Sequence, residues 1–127
     1  MFKDNHGNYK LKIAFDFDDT LTERDIFLLA QRLIKCGHDV WIMTARISSE
    51  KDFLSQYAKY GIVVEEDYNA DLYEVARLLG LEKKIIFVNL ESKSAAYKKY
   101  GFDLLFDDDA TWHCNPICEA GGIAVNI

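Results

Sequence analysis

Carboxylates and hydroxyls suited to phosphoryl chemistry follow an apolar run near the start of the chain. The segment Ile13–Thr22 reads Ile-Ala-Phe-Asp-Phe-Asp-Asp-Thr-Leu-Thr. Two like charges about 4 Å apart repel by roughly 4 kcal/mol at the effective dielectric of a protein surface. Such a cluster therefore requires a cation, a shared proton or a catalytic purpose. Our hypothesis is that Asp16 attacks a phosphoryl group while a divalent metal neutralises the site.

Polar residues also follow two later strands that the sequence predicts. They are Thr44, Ala45 and Arg46 after Val40–Met43, and Asp107, Asp108 and Asp109 after Leu104–Phe106. Lys93 lies at the predicted start of a helix, from which it can reach the same place. Because the carboxyl ends of parallel strands meet at one edge of a sheet, we expect these residues to surround the first acidic cluster.

Short apolar runs alternate with helical patterns along the whole chain. The predicted strands are Leu11–Phe17, Val40–Met43, Ile62–Val64, Ile85–Val88, Leu104–Phe106 and Ile123–Asn126. The predicted helices are Arg24–Cys36, Ser49–Tyr60, a third from Asp71 to Gly80, and a fourth from Ser92 or Ser94 to near Gly101. This alternation predicts a doubly wound, three-layer, Rossmann-like α/β fold with a mostly parallel sheet.

Glycines and acidic residues mark the predicted helix ends. Gly37 and Gly61 are typical of left-handed C-caps. Asp71, with Glu74 three residues later, predicts a start that resembles a capping box.

The three cysteines form neither an even disulfide set nor a Cys-x-x-Cys pair, which suits a reducing compartment. Cys114 and Cys118 flank Asn115 and Pro116. We expect Asn115 to cap a helix and Pro116 to take its first position. The two cysteines would then pack as small apolar side chains, since the paired ligands of zinc sites are usually closer together in the sequence.

The composition predicts one compact domain over residues 1–127, with a polar N-terminal segment over residues 1–10. The chain has 127 residues, of which 50% are hydrophobic, so it can bury a core and leaves little room for a second domain. Its net charge of -6 creates no overall basic field for nucleic acid or an anionic membrane. No apolar run resembles a signal sequence or a membrane span. We expect a soluble cytoplasmic protein.

The order of these polar motifs resembles that of the haloacid dehalogenase superfamily of phosphotransferases. Its four motifs are Asp-x-Asp-x-Thr after the first strand, Thr or Ser after the second, a lysine, and then an acidic pair. Asp16 to Leu21 is a highly specific match to the first motif, and the resemblance spans Asp16 to Asp108. Thr44 and Lys93 are weak matches alone and gain weight from their order and spacing.

The resemblance implies a role for each matched residue. Asp16 would be the nucleophile that forms an aspartyl-phosphate, and a carboxylate is already ionised near neutral pH. Asp18 would protonate the leaving oxygen and then activate water. Thr44 and Lys93 would bind the transferring phosphoryl oxygens, and Lys93 would also offset the clustered negative charge.

The resemblance and the ligand chemistry together imply a magnesium site. Oxygen-only ligands select a hard cation, and Mg²⁺ fits best. Asp16 and the backbone carbonyl of Asp18 would bind it, together with Asp108, while Asp107 supports the metal from close by. Asp109 is expected to lie outside the site, although a one-residue shift of the strand end would bring it in.

Some residues keep a second interpretation. Asp19 is typical of a solvent-facing turn residue, and Thr20 would organise that turn. Thr44 is also typical of a strand-end hydroxyl that bonds its own backbone. Arg46 either clamps a substrate anion or forms an exposed salt bridge. Surface or loop roles are expected for the histidines, which are His6, His38 and His113.

The spacing of the motifs leaves no room for a cap domain. The stretches from Asp16 to Thr44 and from Thr44 to Lys93 are filled by predicted helices and strands. Relatives that lack a cap either accept large substrates or borrow a neighbouring subunit as a lid. Because the acidic charge disfavours nucleic acid, we expect a small phosphomonoester, either a metabolite or a nucleotide, and a lid formed in a homo-oligomer.

Two other functions remain open. One is a receiver-like phospho-acceptor module, but receivers place their lysine last, whereas Lys93 precedes the second acidic group. The other is a protein that keeps the fold without turnover, against which the intact Asp16 and Asp18 argue.

Overall fold

The computed structural model describes residues 1–48, 58–61 and 68–127. Within these ranges the strands are β1 (Phe2–Lys3), β2 (Tyr9–Lys10), β3 (Lys12–Phe15), β4 (Asp39–Thr44), β5 (Ile85–Phe87), β6 (Leu104–Asp107) and β7 (Ala124–Asn126). The helices are α1 (Arg24–Lys35), α2 (Ala70–Leu79), α3 (Lys93–Lys99) and α4 (Asn115–Glu119). A turn over Phe17–Leu21, with non-helical backbone at Asp18 and Asp19, follows β3, and a wide helical turn over Ala110–Cys114 follows β6.

A five-stranded sheet forms the centre of the molecule, with its strands in the order β5-β4-β3-β6-β7. Every neighbouring pair of strands is parallel. Successive residues of a strand point to opposite faces of the sheet. Ile13 and Phe15 therefore pack in a core with residues of α1 and α2, while Ala14 packs in a second core with residues of α3 and α4. The predicted α/β class and parallel sheet are confirmed, and the layering is compatible with a Rossmann-like fold.

The strand order places a crevice at the carboxyl ends of β3 and β6. From β3 the chain first adds β4 and β5 on one side and then returns to add β6 and β7 on the other. Ligands of open α/β sheets bind where the strand order reverses in this way. Asp16 directly follows β3, and Asp107 is the last residue of β6. Both carboxylates therefore reach the crevice from adjacent strands.

The predicted elements agree with the observed ones except at their ends. The Leu11–Phe17 strand is shorter, at Lys12–Phe15, whereas the strand predicted over Val40–Met43 extends over Asp39–Thr44. Ser92 caps α3 by accepting a hydrogen bond from the Ser94 amide. The predicted strand Ile62–Val64 lies outside the described residues, and so does the helix predicted over Ser49–Tyr60, apart from its last three residues.

The capping box predicted at Asp71 is wrong. The helix α2 begins one residue earlier, at Ala70, and Asn69 holds the cap position. Asp71 uses its carboxylate to bind Arg46. Glu74 pairs with Arg77 one turn along the helix, at 2.6 Å. The spacing resembled a capping box, but partners distant in the sequence attract the Asp71 carboxylate.

The cap predicted at Asn115 is also wrong. Asn115 is the first residue of α4 because the helical turn Ala110–Cys114 runs directly into that helix. Asp109 instead caps the turn by accepting a hydrogen bond from the Trp112 amide at 2.9 Å. Cys114 is buried, as predicted, whereas Cys118 is exposed. Burial raises the pKa of the Cys114 thiol to about 11.

The polar N-terminal segment forms an antiparallel hairpin of β1 and β2, which the sequence did not predict. Asp4 shapes its turn by accepting hydrogen bonds from the amides of His6 and Asn8, each at 2.9 Å. The amino terminus binds Asp103 at 2.7 Å, which ties the hairpin to the start of β6. None of the helices within the described ranges combines the length and apolar character needed to cross a bilayer.

Candidate functional site

Asp16 is held at the carboxyl end of β3 by contacts on both of its carboxylate oxygens. Its amide donates to the Phe106 carbonyl at 2.9 Å, which continues the pairing of β3 with β6. One oxygen lies 2.6 Å from the Lys93 ammonium, and the other accepts the Thr20 hydroxyl at 3.0 Å. The side chain is buried, with 6% of the residue exposed. Thr20 thus orients Asp16 from within the turn that follows it.

The turn after Asp16 separates the next two acidic side chains. The backbone reverses at Asp19, which has a φ of 57° in the left-handed region, a conformation that aspartate tolerates better than most residues. Asp19 is exposed, as expected for a turn residue. Asp18 lies at the mouth of the site, with 53% of its side chain exposed.

Lys93 is the only lysine among the described residues that is buried, and it lies between two carboxylates. Its ammonium contacts Asp16 at 2.6 Å and Asp107 at 2.5 Å, while only 1% of its side chain is exposed. A buried ammonium requires such partners because its desolvation is costly. The helix start therefore brings Lys93 to the sheet edge at which the sequence placed it.

The acidic triplet after β6 divides into three environments. Asp107 is buried beside Lys93, and its other oxygen accepts the Asp109 amide at 2.9 Å. Asp108 is exposed at the rim of the site. Asp109 caps the following helical turn, although it also lines the cleft.

Three of the carboxylates converge closely enough to hold one metal ion. Oxygen atoms of Asp16, Asp107 and Asp108 all lie within 4.8 Å of one another, the one such group of potential metal ligands in the described ranges. Oxygens around an octahedral Mg²⁺ ion at 2.0–2.1 Å would lie about 3 to 4 Å apart. The limit of 4.8 Å is close to that spacing, so small side-chain adjustments would bring the three oxygens around one ion. The donor set therefore fits a hard divalent cation.

Burial and like charge alter the ionisation of Asp16. Desolvation is the largest effect and raises the pKa of Asp16 to about 7, with a further upward contribution from the Asp107 carboxylate. The Lys93 ammonium acts in the opposite direction, but one cation cannot fully compensate two buried carboxylates. A bound cation would supply the missing positive charge.

Arg46 binds two carboxylates from different parts of the chain. Its guanidinium donates to both oxygens of Asp18, at 2.7 and 2.9 Å, and to both oxygens of Asp71, at 2.7 and 3.0 Å. The guanidinium also lies over the rings of Phe17 and Tyr68, at 4.9 and 5.1 Å from their centroids. Of the two interpretations of Arg46, the structure contains the salt bridge, with 11% of the arginine side chain exposed. Substrate binding by Arg46 stays a prediction.

Thr44 lies at the end of β4 and is fully buried. Its hydroxyl oxygen accepts the Arg46 amide at 3.1 Å, which is the strand-end bond named as its alternative role. A hydroxyl that accepts one hydrogen bond can still donate its proton to another group. Thr44 thus shapes the loop that carries Arg46, and its hydroxyl can still donate a hydrogen bond to another group.

His113 is a residue of the site that the sequence analysis missed. It is 8% exposed, lines the cleft and accepts the backbone amide of Lys93 on Nδ1 at 3.3 Å. Burial is the largest effect on its pKa, which is lowered, and the nearby Lys93 ammonium acts in the same direction. The sequence did offer one indication that His113 belongs to the site. It lies one helical turn after Asp109, and that turn returns to the same sheet edge.

A cleft of about 160 Å³ lies at this sheet edge, and neither Thr44 nor Arg46 lines it. Its volume suits a phosphoryl group and a metal ion rather than a whole substrate. Its walls are formed by acidic residues, Lys93, Ala45 and His113. Larger cavities lie elsewhere on the surface, but they lack this concentration of ionisable groups. Comparisons with protein-family models, with curated proteins and with solved structures found no match to this chain.

Proposed function

We propose that this protein is a magnesium-dependent phosphomonoester hydrolase that acts through Asp16. The observation that carries the proposal is the convergence of Asp16, Asp107 and Asp108 within 4.8 Å beside the buried ammonium of Lys93. Phosphoryl transfer depends mainly on positioning and charge compensation. The motif order that resembles the haloacid dehalogenase superfamily supports the same reaction.

Asp16 and Asp108, with the backbone carbonyl of Asp18, would hold the magnesium ion, and Asp107 would support it while binding Lys93. When bound, the ion would neutralise the carboxylates and the charge on the phosphoryl oxygens. The Lys93 ammonium adds a second positive charge on the buried side of the cleft. The oxygens of a bound phosphate would thus contact the cation and the Lys93 ammonium, and the negative charge of the nearby carboxylates would be offset.

Asp16 would act as the nucleophile. Its oxygen forms a bond to phosphorus while the bond from phosphorus to the alcohol oxygen breaks, and an aspartyl-phosphate results. Thr20 and Lys93 hold the two carboxylate oxygens in fixed positions before the reaction. This preorganisation lowers the cost of reaching the reactive geometry.

Asp18 would move the proton in both half-reactions. It gives a proton to the departing alcohol oxygen and later takes one from the water that attacks the phosphorus, which releases phosphate and restores Asp16. Both Asp18 oxygens bind Arg46 in the present conformation. Proton transfer therefore requires Asp18 to leave Arg46 when the substrate enters.

We propose a small phosphomonoester as the substrate. The net charge of -6 and the acidic cleft disfavour a polyanion such as nucleic acid. The cleft is open to solvent at Asp18 and Asp108, so a lid from a second copy of the chain would be needed to exclude water during the reaction.

A catalytically silent phosphate-binding module is the second candidate. The observation that favours it is the pairing of both Asp18 oxygens with Arg46. A module of this kind would bind a phosphorylated ligand or accept a phosphoryl group on Asp16 without releasing it.

A panel of phosphomonoesters, assayed with Mg²⁺ and again with a chelator, tests the proposal. We expect phosphate release only with Mg²⁺. Asp16→Asn should abolish turnover while the circular dichroism spectrum is unchanged. Asp19→Asn is the matched control, because Asp19 is exposed in the same turn and asparagine tolerates its φ of 57°. Absence of hydrolysis across the panel, or activity that survives Asp16→Asn, would overturn the proposal.

A further inference from the structure

A second cavity adjoins the acidic cleft. It has a volume of about 310 Å³ and shares Ala45, Asp109 and His113 with the cleft. Its remaining lining residues are Leu90, Glu91, Ser92 and Trp112. A substrate whose phosphate lies among the carboxylates would therefore extend its leaving group into this cavity, which we call the side groove.

Two of the residues that line the side groove are large, apolar and exposed. Trp112 is 70% exposed and Leu90 is 61% exposed. Single exposed apolar residues are common and need no explanation. Two large apolar side chains on the rim of one groove, next to a polar site, are typical of a ligand-binding surface.

The backbone holds Leu90 at the rim despite local strain. Asn89 and Leu90 both have positive φ values, of 54° and 67°, and leucine rarely adopts that conformation. The Leu90 amide donates to the Ala45 carbonyl at 2.7 Å, and the Ser48 amide donates to the Asn89 side chain at 2.9 Å. Strained residues that are fixed by neighbouring contacts are concentrated in ligand-binding loops.

Trp112, which also lines the side groove, is held in place by hydrogen bonds of its own backbone. Its amide donates to Asp109 at 2.9 Å, and its carbonyl accepts the Ser92 hydroxyl at 3.4 Å. The second bond connects the loop of Leu90 to the turn of Trp112. The indole is therefore presented on a constrained backbone, which reduces the entropy lost when a ligand binds.

We propose that the side groove receives a flat aromatic ring of the leaving group, such as a nucleobase, which stacks on Trp112. This inference rests on the proposed function for the position of the phosphate. An indole face stacks well on any planar ring, whereas a sugar phosphate alone offers it little apolar surface. The substrate class is then a nucleoside monophosphate rather than a simple sugar phosphate.

Adenosine 5′-monophosphate and ribose 5-phosphate provide a matched test. Both are esters of a primary alcohol at the same ribose position, and they differ at the base. We expect kcat/KM to be about tenfold or more higher for the nucleotide. Trp112→Ala should lower kcat/KM for the nucleotide far more than for ribose 5-phosphate, and Trp112→Phe should keep most of the preference. Tyr9→Ala is the control, because Tyr9 is an aromatic residue of similar exposure in the N-terminal hairpin, 61% against 70% for Trp112.

A binding experiment separates this inference from the proposed function. The chain has two tryptophans, so Trp41→Phe leaves Trp112 as the single fluorophore, and Asp16→Asn in the same chain prevents turnover. We expect adenosine 5′-monophosphate to quench Trp112 fluorescence and ribose 5-phosphate to leave it unchanged.

If no member of the phosphomonoester panel is hydrolysed but the nucleotide still quenches Trp112, the proposed hydrolase fails and the side groove stands. Equal kcat/KM for the two compounds in the unmodified protein would overturn the groove assignment. Absence of quenching would also overturn it, as would an equal loss on both substrates in Trp112→Ala.

Discussion

At the scale of single residues, the centre of the site is one buried ammonium shared by two carboxylates. Lys93 contacts Asp16 and Asp107, and all three side chains are less than a tenth exposed. The trio carries a net negative charge when both carboxylates are ionised, which is costly in a region with little water. Desolvation, together with this excess negative charge, raises the pKa of Asp16. The excess charge also makes the site suitable for a cation.

The stability of the metal-free protein should depend on pH through Asp16. Its pKa of about 7 in the folded state exceeds the unfolded value of 3.8, so the folded state binds more protons between these values. Stability from this group is fully present below about pH 4 and is lost as the pH rises to about 7. The loss should be on the order of 1 to 4 kcal/mol.

Asp16→Asn should remove this pH-dependent loss of folding stability, because asparagine does not ionise. Urea unfolding in the presence of a chelator, at pH 5 and pH 8, checks the expectation. The variant should gain stability relative to the unmodified protein as the pH rises, whereas Asp19→Asn should not. Identical pH profiles for the unmodified protein and Asp16→Asn would contradict the assignment.

At the scale of elements, Arg46 connects the loop after β4 to the turn after β3 and to the first turn of α2. It does so by binding Asp18 and Asp71, and the Arg46 guanidinium lowers the pKa of Asp71. Because Asp18 is mostly exposed, Arg46 is the contact that restrains it. Asp71 is therefore a positioning residue that acts on Asp18 through Arg46.

Asp71→Asn should weaken this restraint and lower kcat/KM by about threefold to tenfold, which corresponds to roughly 1 kcal/mol. The pH dependence of kcat should change as well, because a less firmly held Arg46 would restrain the Asp18 carboxylate less. Glu74→Gln is the matched control, because Glu74 lies on the same helix and pairs with Arg77 away from the site. An effect of equal size in both variants would indicate a general loss of helix stability.

Close packing of α3 against the chain after α4 makes Gly122 sensitive to substitution. A Cβ atom at Gly122 would lie 2.7 Å from both Ile117 and Tyr97. Gly122→Ala should therefore destabilise the protein by about 1 to 3 kcal/mol through overpacking. Thermal unfolding checks this, with Ala120→Ser on the exposed neighbouring surface as the control. A change below about 0.5 kcal/mol would show that the two side chains move apart freely.

At the scale of the whole molecule, the sheet order assembles the site from residues that are distant in the sequence. Lys93 and Asp16 are separated by 77 positions, and they meet because α3 begins at the edge where β3 ends. The two cores on either side of the sheet hold these elements in place. Site geometry and global stability are thus coupled.

Magnesium should stabilise the folded protein, because the unfolded chain does not bring the three carboxylates together. At a free concentration one hundred times the Kd, the gain would be about 2.7 kcal/mol. Asp108→Asn should reduce this gain, while Asp19→Asn should retain it. Thermal unfolding with and without Mg²⁺ measures the effect, and an unchanged midpoint for the unmodified protein would argue against a metal site.

Much of the architecture could be predicted because it depends on local patterns. Alternating apolar runs and helical stripes predicted the parallel α/β sheet, and the covalent order of the motifs placed Asp16, Asp107 and Lys93 at one edge. The errors at Asp71 and Asn115 arose because local spacing does not reveal partners from elsewhere in the chain. His113 was missed for the same reason, since its partner is a backbone amide in another element.

The sequence by itself determined which chemical groups are present and which end of the sheet they follow, because strand and helix periods are local properties of the chain. Only the tertiary structure decided the strand order, the sharing of Lys93 between Asp16 and Asp107, and the pairing of Arg46. It also decided that Leu90 and Trp112 lie on one groove. These features depend on contacts between distant segments, and such contacts form only when burial of the two cores brings the segments together.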